Sequence, residues 1–432
     1  MNRYKERVFA KPEPWSRLDN AAKLFPSTSE KTDTRVFRFS CELYENVDII
    51  TLQEAVDIAA DNYPVFLSIM RKGFFWYYLE HCELKPIVTE EKLPVCSQIY
   101  DPEKKELLFR ISCFKNCINL EVYHVLADGT GALGFLKDII YNYLLIKYPD
   151  EYKTPPLLDN DASNTQKSDD SFRRYYDKET GKTKKEKKAA RAYNLTGDKH
   201  TDERLRIIEG IVSVKSIKEA AHKYNTTITV FLTALFIQAI RKEMPLSGLK
   251  YPVVINVPVN LRPYFPSETA RNFFGMISVP YDFGKRDGTI DDIISEVNAC
   301  FKRELTKERL AIRMNQMASI EHNPFARIAP LPFKNIVLNR ARHIRDRSQT
   351  AVISNIGRIT MPAEMEHHIK QFGILISTLG LQMCMCSFSD RMQIGFTTSY
   401  ISTDIQRNFF RSLTSLGIEV EIRSNDFYSD DE

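Results

Sequence analysis

No apolar run in the sequence approaches the ~20 residues that a membrane-spanning helix needs. The stretch FLTALFIQAI at 231–240 is half that length and reads as a buried helix. The N-terminal MNRYKERVFAKPEPWSRLDN has no apolar centre and no small-residue cleavage site. That argues against a signal peptide and gives a cytoplasmic location by default. Cysteine is sparse, with eight residues in 432, mostly in apolar or strand-like surroundings. Without export they read as reduced thiols, not a disulfide framework. Cys113 and Cys117 are spaced C-x-x-x-C, and Cys384 and Cys386 are spaced C-x-C. Neither is a usual zinc pair, so no metal is expected. Charge of one sign is also scarce. The net charge is +4, far from the clustered basic face that a nucleic-acid partner requires. No internal repeat of fixed period is visible. No G-x-S-x-G occurs, so a serine nucleophile on a strand-to-helix elbow is unsupported.

What is present is a large, ordinary globular composition: 432 residues, 43% hydrophobic and 11% aromatic. That length predicts about two domains. One segment, 155–204, is rich in charge, Ser, Asn and Thr and poor in aliphatics. It reads as a linker or surface excursion between a half at 1–154 and a half at 205–432. Its basic run KTKKEKKAARA at 182–192 could attract the phosphates of a nucleotide-like ligand or an acidic protein, but reads more simply as solvated. His367 and His368 lie in a polar stretch and read as surface.

Periodicity places the elements. In the first half, TLQEAVDIAADNY at 51–63 has helical spacing, and 64–80 reads as two strands joined around Lys72–Gly73. A hairpin follows around Lys115–Asn116. Ile118, Leu120, Val122 and His124 alternate onto one face of its second strand. The stretch 132–148 is helical. In the second half, a strand at 204–214 precedes two helices, two strands, one long amphipathic helix within 290–319, four further strands and a closing helix near 404–417. Sheet and helix mix without regular βαβ alternation, which predicts an α+β fold of layered sandwiches.

The stretch YHVLADGTGALGF at 123–135 admits two readings. As Gly129-x-Gly131-x-x-Gly134 it resembles a dinucleotide-binding turn, but that motif needs a second strand after the helix, and loop follows here instead. As His124-x-x-x-Asp128-Gly129 it carries a histidine at a strand end, on a face with three aliphatics. There the neutral imidazole is favoured, which suits a general base. A core histidine with a satisfied hydrogen bond, and an Asp128 that only caps a helix, are the plainer alternatives.

Three other stretches bear on the choice: LDNAAKLFPS at 18–27, VNLRPYFPSETARNFFG at 259–275 and SNIGRI at 354–359. Together with YHVLADG and two similarly built halves, they resemble the superfamily of chloramphenicol acetyltransferase, nonribosomal-peptide condensation domains and BAHD acyltransferases. The likeness is greatest to bacterial alcohol acetyltransferase-like, free-standing condensation-like proteins. Tyr123 stands where many condensation domains carry a second histidine, and the C-terminal Asp-Phe-Gly-Trp-Gly of the plant enzymes is absent.

The resemblance implies two chloramphenicol-acetyltransferase-like halves with a tunnel between them and His124 at its middle. It implies acyl transfer, most simply of acetyl from acetyl-CoA to an alcohol, with no bound cofactor and no acyl-enzyme. Asp128 would pair with an arginine, with Arg262 the candidate, and hold the loop that presents His124. Ser354, Asn355, Asn260 and Asn272 would line the tunnel or donate to the oxyanion. Donor and acceptor stay open: acyl-CoA or an acyl carrier protein, an alcohol or an amine. A non-catalytic ligand-binding relative is a further alternative. Because both halves lie in one chain, a monomer can form such a site.

Overall fold

The computed structural model describes residues 14–31, 33–158, 164–177, 191–200, 204–322 and 328–425. The N-terminal half contains β1 (Trp15–Arg17), β2 (Val36–Leu43), α1 (Ile49–Asp61), β3 (Ser68–Lys72), β4 (Tyr77–His81), β5 (Val88–Glu90), β6 (Phe109–Phe114), β7 (Cys117–Tyr123) and α2 (Gly129–Lys147). Two short helices follow, α3 (Asn164–Ser168) and α4 (Ser171–Arg174). The C-terminal half runs through β8 (Arg206–Ser213), α5 (Val214–Lys223), α6 (Ile228–Glu243), β9 (Val253–Asn260), β10 (Phe274–Tyr281), α7 (Ile290–Glu304), α8 (Lys307–His322) and α9 (Leu331–Asp346). It ends with β11 (Ala351–Ile359), β12 (Ile369–Ile376), β13 (Leu381–Phe388), β14 (Arg391–Thr398), α10 (Asp404–Ser415) and β15 (Glu421–Ser424).

The alternation on β7 sets the first layer. Ile118, Leu120 and Val122 are fully buried, and the opposed residues of β2 and β6 (Phe37, Phe39, Cys41; Phe109, Ile111, Cys113) share their face. α1 and α2 pack on one another and share this core; Leu52, Ala55, Val56 and Ala59 are the buried face of α1. The other face of β7 is charged. Glu121 is 2% exposed, yet its carboxylate accepts from Arg38, Arg110 and the Cys96 amide. A carboxylate so fully donated to can be buried. The two large sheets run β12-β2-β7-β6-β5 and β10-β9-β11-β13-β14-β8-β15, and a small sheet runs β1-β4-β3. The fold is α+β, with mixed sheets and helices in two pseudo-symmetric halves.

Two features depart from a simple division. β12 follows residue 205 in the chain but pairs antiparallel with β2, so the C-terminal half lends a strand to the N-terminal sheet. It is an edge strand, and an edge with unpaired backbone is a liability. Here side chains of β14 close that edge: Gln393 Oε1 accepts from the Ile374 amide and Thr397 Oγ1 donates to the Ile376 carbonyl. The charge-rich segment is likewise not wholly a surface excursion. Phe172 is fully buried in the second core, and the Tyr193 amide donates to Pro252 O. Residues 178–190, with most of the basic run, lie outside the described residues. The long helix expected within 290–319 is two helices. Leu305 ends α7, and Thr306 Oγ1 accepts from the Arg309 amide to start α8. Among the described residues, no helix is long and apolar enough to cross a membrane.

Candidate functional site

β7 ends at Tyr123, and the next residue, His124, continues its apolar face. The His124 amide donates to Arg35 O at 2.8 Å, holding the strand end against the residue before β2. Three aromatic rings surround the imidazole. Phe25 stacks on it at 4.7 Å between centroids, Phe37 meets it edge-on at 4.9 Å, and Phe274 of β10 lies at 5.5 Å. The first two come from the N-terminal half and the third from the C-terminal half, so the ring sits at the seam. It keeps partial exposure to solvent. Burial is the main cause holding the His124 pKa below the ordinary histidine value, with the nearby Asp128 carboxylate opposing it.

The tautomer follows from Asn272. Its Nδ2 donates to His124 O at 3.0 Å and to Asp19 Oδ2 at 3.1 Å. Those two acceptors fix the amide, so Oδ1 faces His124 Nδ1, at 3.0 Å. An amide oxygen only accepts, so Nδ1 carries the proton. Nε2 of the neutral ring is then left with its lone pair.

Asp19 is the residue that sequence reasoning missed. It sits within LDNAAKLFPS, where Oδ1 accepts from the amide of Ala22, the first residue of the 3-10 turn Ala22–Leu24, at 2.8 Å. That contact is local, spanning three positions. The link to Asn272, across 253 positions, is not. Burial lifts the Asp19 pKa to about 6 against the pull of Arg271. Between pH ~4 and ~6 the folded chain therefore keeps a proton on Asp19 that the unfolded chain has released. Stability should fall as pH rises through that window, by about 2 kcal/mol from this group. Chemical unfolding at pH 4.5 and 7 checks it: Asp19→Asn should flatten the dependence, and an unchanged difference would contradict the assignment.

Asp128 caps α2, accepting from the Gly131 amide at 3.0 Å. Its carboxylate also accepts from the Phe273 amide at 2.8 Å and from both Arg262 guanidinium nitrogens, at 2.8 and 3.1 Å. This fork ties the first turn of α2 to the Asn260–Phe274 connection. Arg262 further donates to the carbonyls of Thr269 and Arg271. The backbones meet closely at the same place: a Cβ on Gly131 would lie 1.8 Å from Ala270 O, so only glycine fits. Gly129 is less constrained: the nearest atom to its Cβ position is the movable end of the Ile356 side chain of β11, at 2.9 Å.

The four residues grouped as tunnel or oxyanion candidates separate. Asn272 is committed to His124 and Asp19. Asn260 is exposed, and its Oδ1 accepts from the Arg262 amide and Nη1, so it braces the arginine. Asn355 donates to Thr229 Oγ1 and accepts from the Gly357 amide, closing a bulge in β11. The Ser354 hydroxyl has no hydrogen-bond partner among the described residues and is half-buried, two positions before Ile356. Tyr123 points to the other face of β7, where its hydroxyl meets Ser29 and its ring stacks on Tyr100.

The dinucleotide reading fails on topology. β7 pairs antiparallel with both β2 and β6, so no parallel βαβ unit surrounds the glycine turn. The four cysteines form no ligand cluster among the described residues. A cavity of about 260 Å³ lies on the charged face of the N-terminal sheet, lined by Arg38, Arg110 and Glu121 among others; His124 is not part of its wall.

No protein-family model and no curated protein matches the sequence. The fold is that of condensation domains and related acyltransferases. Polyketide synthase associated protein 5 from Mycobacterium tuberculosis shares it with 12% identity and a TM-score of 0.63, over 93% of this chain and 97% of that one. F. graminearum TRI101, in a complex with coenzyme A and T-2 mycotoxin, gives 10% identity and 0.62, over 94% and 99%. The first condensation domain of the CDA synthetase gives 12% and 0.58, over 94% and 97%.

Proposed function

We propose that the chain is an acyltransferase that moves an acyl group from a thioester, most simply acetyl-CoA, to an alcohol, with His124 as general base. The observation that carries the reading is the imidazole at the seam, its Nδ1 proton held by Asn272 and its Nε2 without a partner among the described residues. The solved TRI101 complex, with coenzyme A and a mycotoxin on the same fold, supports it.

In the proposed reaction, Nε2 takes the proton of the acceptor hydroxyl as that oxygen attacks the thioester carbonyl carbon. Asn272 Oδ1 then faces a ring that has gained positive charge, which it stabilises. The tetrahedral intermediate carries its charge on the former carbonyl oxygen, and the Ser354 hydroxyl is the donor assigned to it. The carbon–sulfur bond breaks, the sulfur leaves as thiolate, and the imidazolium returns the proton to it. Nothing is covalently attached to the protein. Asp128, locked between Arg262 and two backbone amides, sets the loop and takes no proton. The carrier-protein version differs only in what bears the sulfur, and activity with an acyl-loaded carrier but not with acyl-CoA would select it.

The reading predicts pH dependence. The neutral ring is the active form, and burial holds its pKa down. The acid limb of kcat/KM should therefore turn below the ~6.5 of an ordinary histidine. A limb at or above that value would contradict a buried base at this position.

A further inference from the structure

A second cluster lies far from this site in character and use. The turn after α2 carries Glu151, and the 3-10 turn Ala363–His368 carries His367 and His368. His367 Nε2 is 3.0 Å from Glu151 Oε1, and His368 Nε2 is 3.1 Å from Oε2. One ligand atom from each residue lies within 4.8 Å of the others. A tetrahedral zinc with bonds of about 2.0–2.1 Å sets its ligand atoms ~3.3 Å apart. Each imidazole already stands near that spacing from the carboxylate, and all three ligand atoms lie within 4.8 Å of one another.

We propose that Glu151, His367 and His368 form a surface site for a divalent transition metal of zinc's class. Two imidazoles and one carboxylate are a donor set that such ions favour, and a fourth position stays open to water because Glu151 and His367 are exposed. The ligands are held in place before any ion arrives. Tyr148 stacks on the His368 ring at 4.0 Å, 10° from parallel. The Tyr44 amide donates to His368 O, and the Tyr152 hydroxyl donates to Glu364 O. These contacts fasten the 3-10 turn to the end of α2 and to the residue after β2, so little backbone ordering is left for binding to cost.

The place gives the ion a purpose. His368 immediately precedes β12, the strand that crosses to the N-terminal sheet, and Glu151 belongs to the N-terminal half. An ion here clamps the entry of the lent strand. Because it binds the folded chain, it raises the unfolding temperature by mass action.

Tag-free, full-length protein dialysed against micromolar zinc should retain one ion per chain. The unfolding temperature should rise by several degrees and return on chelation. Glu151→Gln and His367→Ala change exposed side chains and preserve the fold; each should weaken zinc binding at least tenfold. His368→Ala should abolish it. Substoichiometric binding in the wild type, or the same affinity in Glu151→Gln and His367→Ala, would overturn the proposal. So would a contact that is only a histidine–glutamate hydrogen bond, seen as variants that lower the unfolding temperature equally with and without zinc.

Discussion

His124→Ala should lower thioester-dependent acyl transfer by about 10²- to 10⁴-fold in kcat, the range a positioned general base supplies. The variant loses the imidazole, while the aromatic neighbours Phe25, Phe37 and Phe274 remain. KM for the thioester should change little, because the base acts on the acceptor proton in the transition state. Asn272→Ala separates positioning from chemistry. It keeps the imidazole but releases the Nδ1 proton, so kcat should fall by less than in His124→Ala. The acid limb of its pH profile should also move, which a merely structural change would not cause. Steady-state thiol release with a saturating alcohol reads both variants. Wild-type turnover in His124→Ala would remove the base from the mechanism.

Arg262→Met should destabilise the protein by about 3–5 kcal/mol, the cost of leaving a buried carboxylate without its cation. The Asp128 and Arg262 side chains are 6% and 10% exposed, so water replaces little of what is lost. Two backbone amides would still donate to Asp128, which is why folding should survive at low temperature. Arg262→Lys should recover only part of the loss, since a point charge cannot make the fork. Urea unfolding of the two variants measures it. A loss below about 1 kcal/mol for Arg262→Met would place this pair with the surface ion pairs.

The elements of the fold were mostly legible because burial on one face writes a period into the chain. Ile118, Leu120, Val122 and His124 are the plainest case: the alternation that marked a strand also aimed the histidine. β2 was harder, because Arg38 and Glu42 interrupt its apolar pattern. They are satisfied across the layer by Glu121, Lys370 and Arg423. α9 was hidden for the opposite reason, since Phe333, Ile336, Val337 and Ile344 remain exposed and no clean stripe forms. The strand at β12 was visible, but not its sheet; its pairing with β2 spans more than 300 residues, and no local pattern encodes that.

The site divides the same way. His124, Asp128 and Arg262 came from motif and resemblance, and the structure joins the last two in one fork. The three asparagines 260, 272 and 355 could not be told apart by residue type. Their roles rest on which donor each amide oxygen meets: an arginine to brace, an imidazole to orient and a strand bulge to close. Among the described residues, the Ser354 hydroxyl and the Asn260 amide nitrogen are left without a partner; Ser354 is the half-buried one of the two.

The most direct measurement is thiol release by the wild-type chain from acyl-CoA and acyl-carrier thioesters across a panel of alcohols and amines, with the intact protein mass recorded during turnover. The account predicts acceptor-dependent thiol release, one ester formed per thiol, and an unmodified protein mass. Release that ignores the acceptor, an acylated protein, or silence across the whole panel would contradict it.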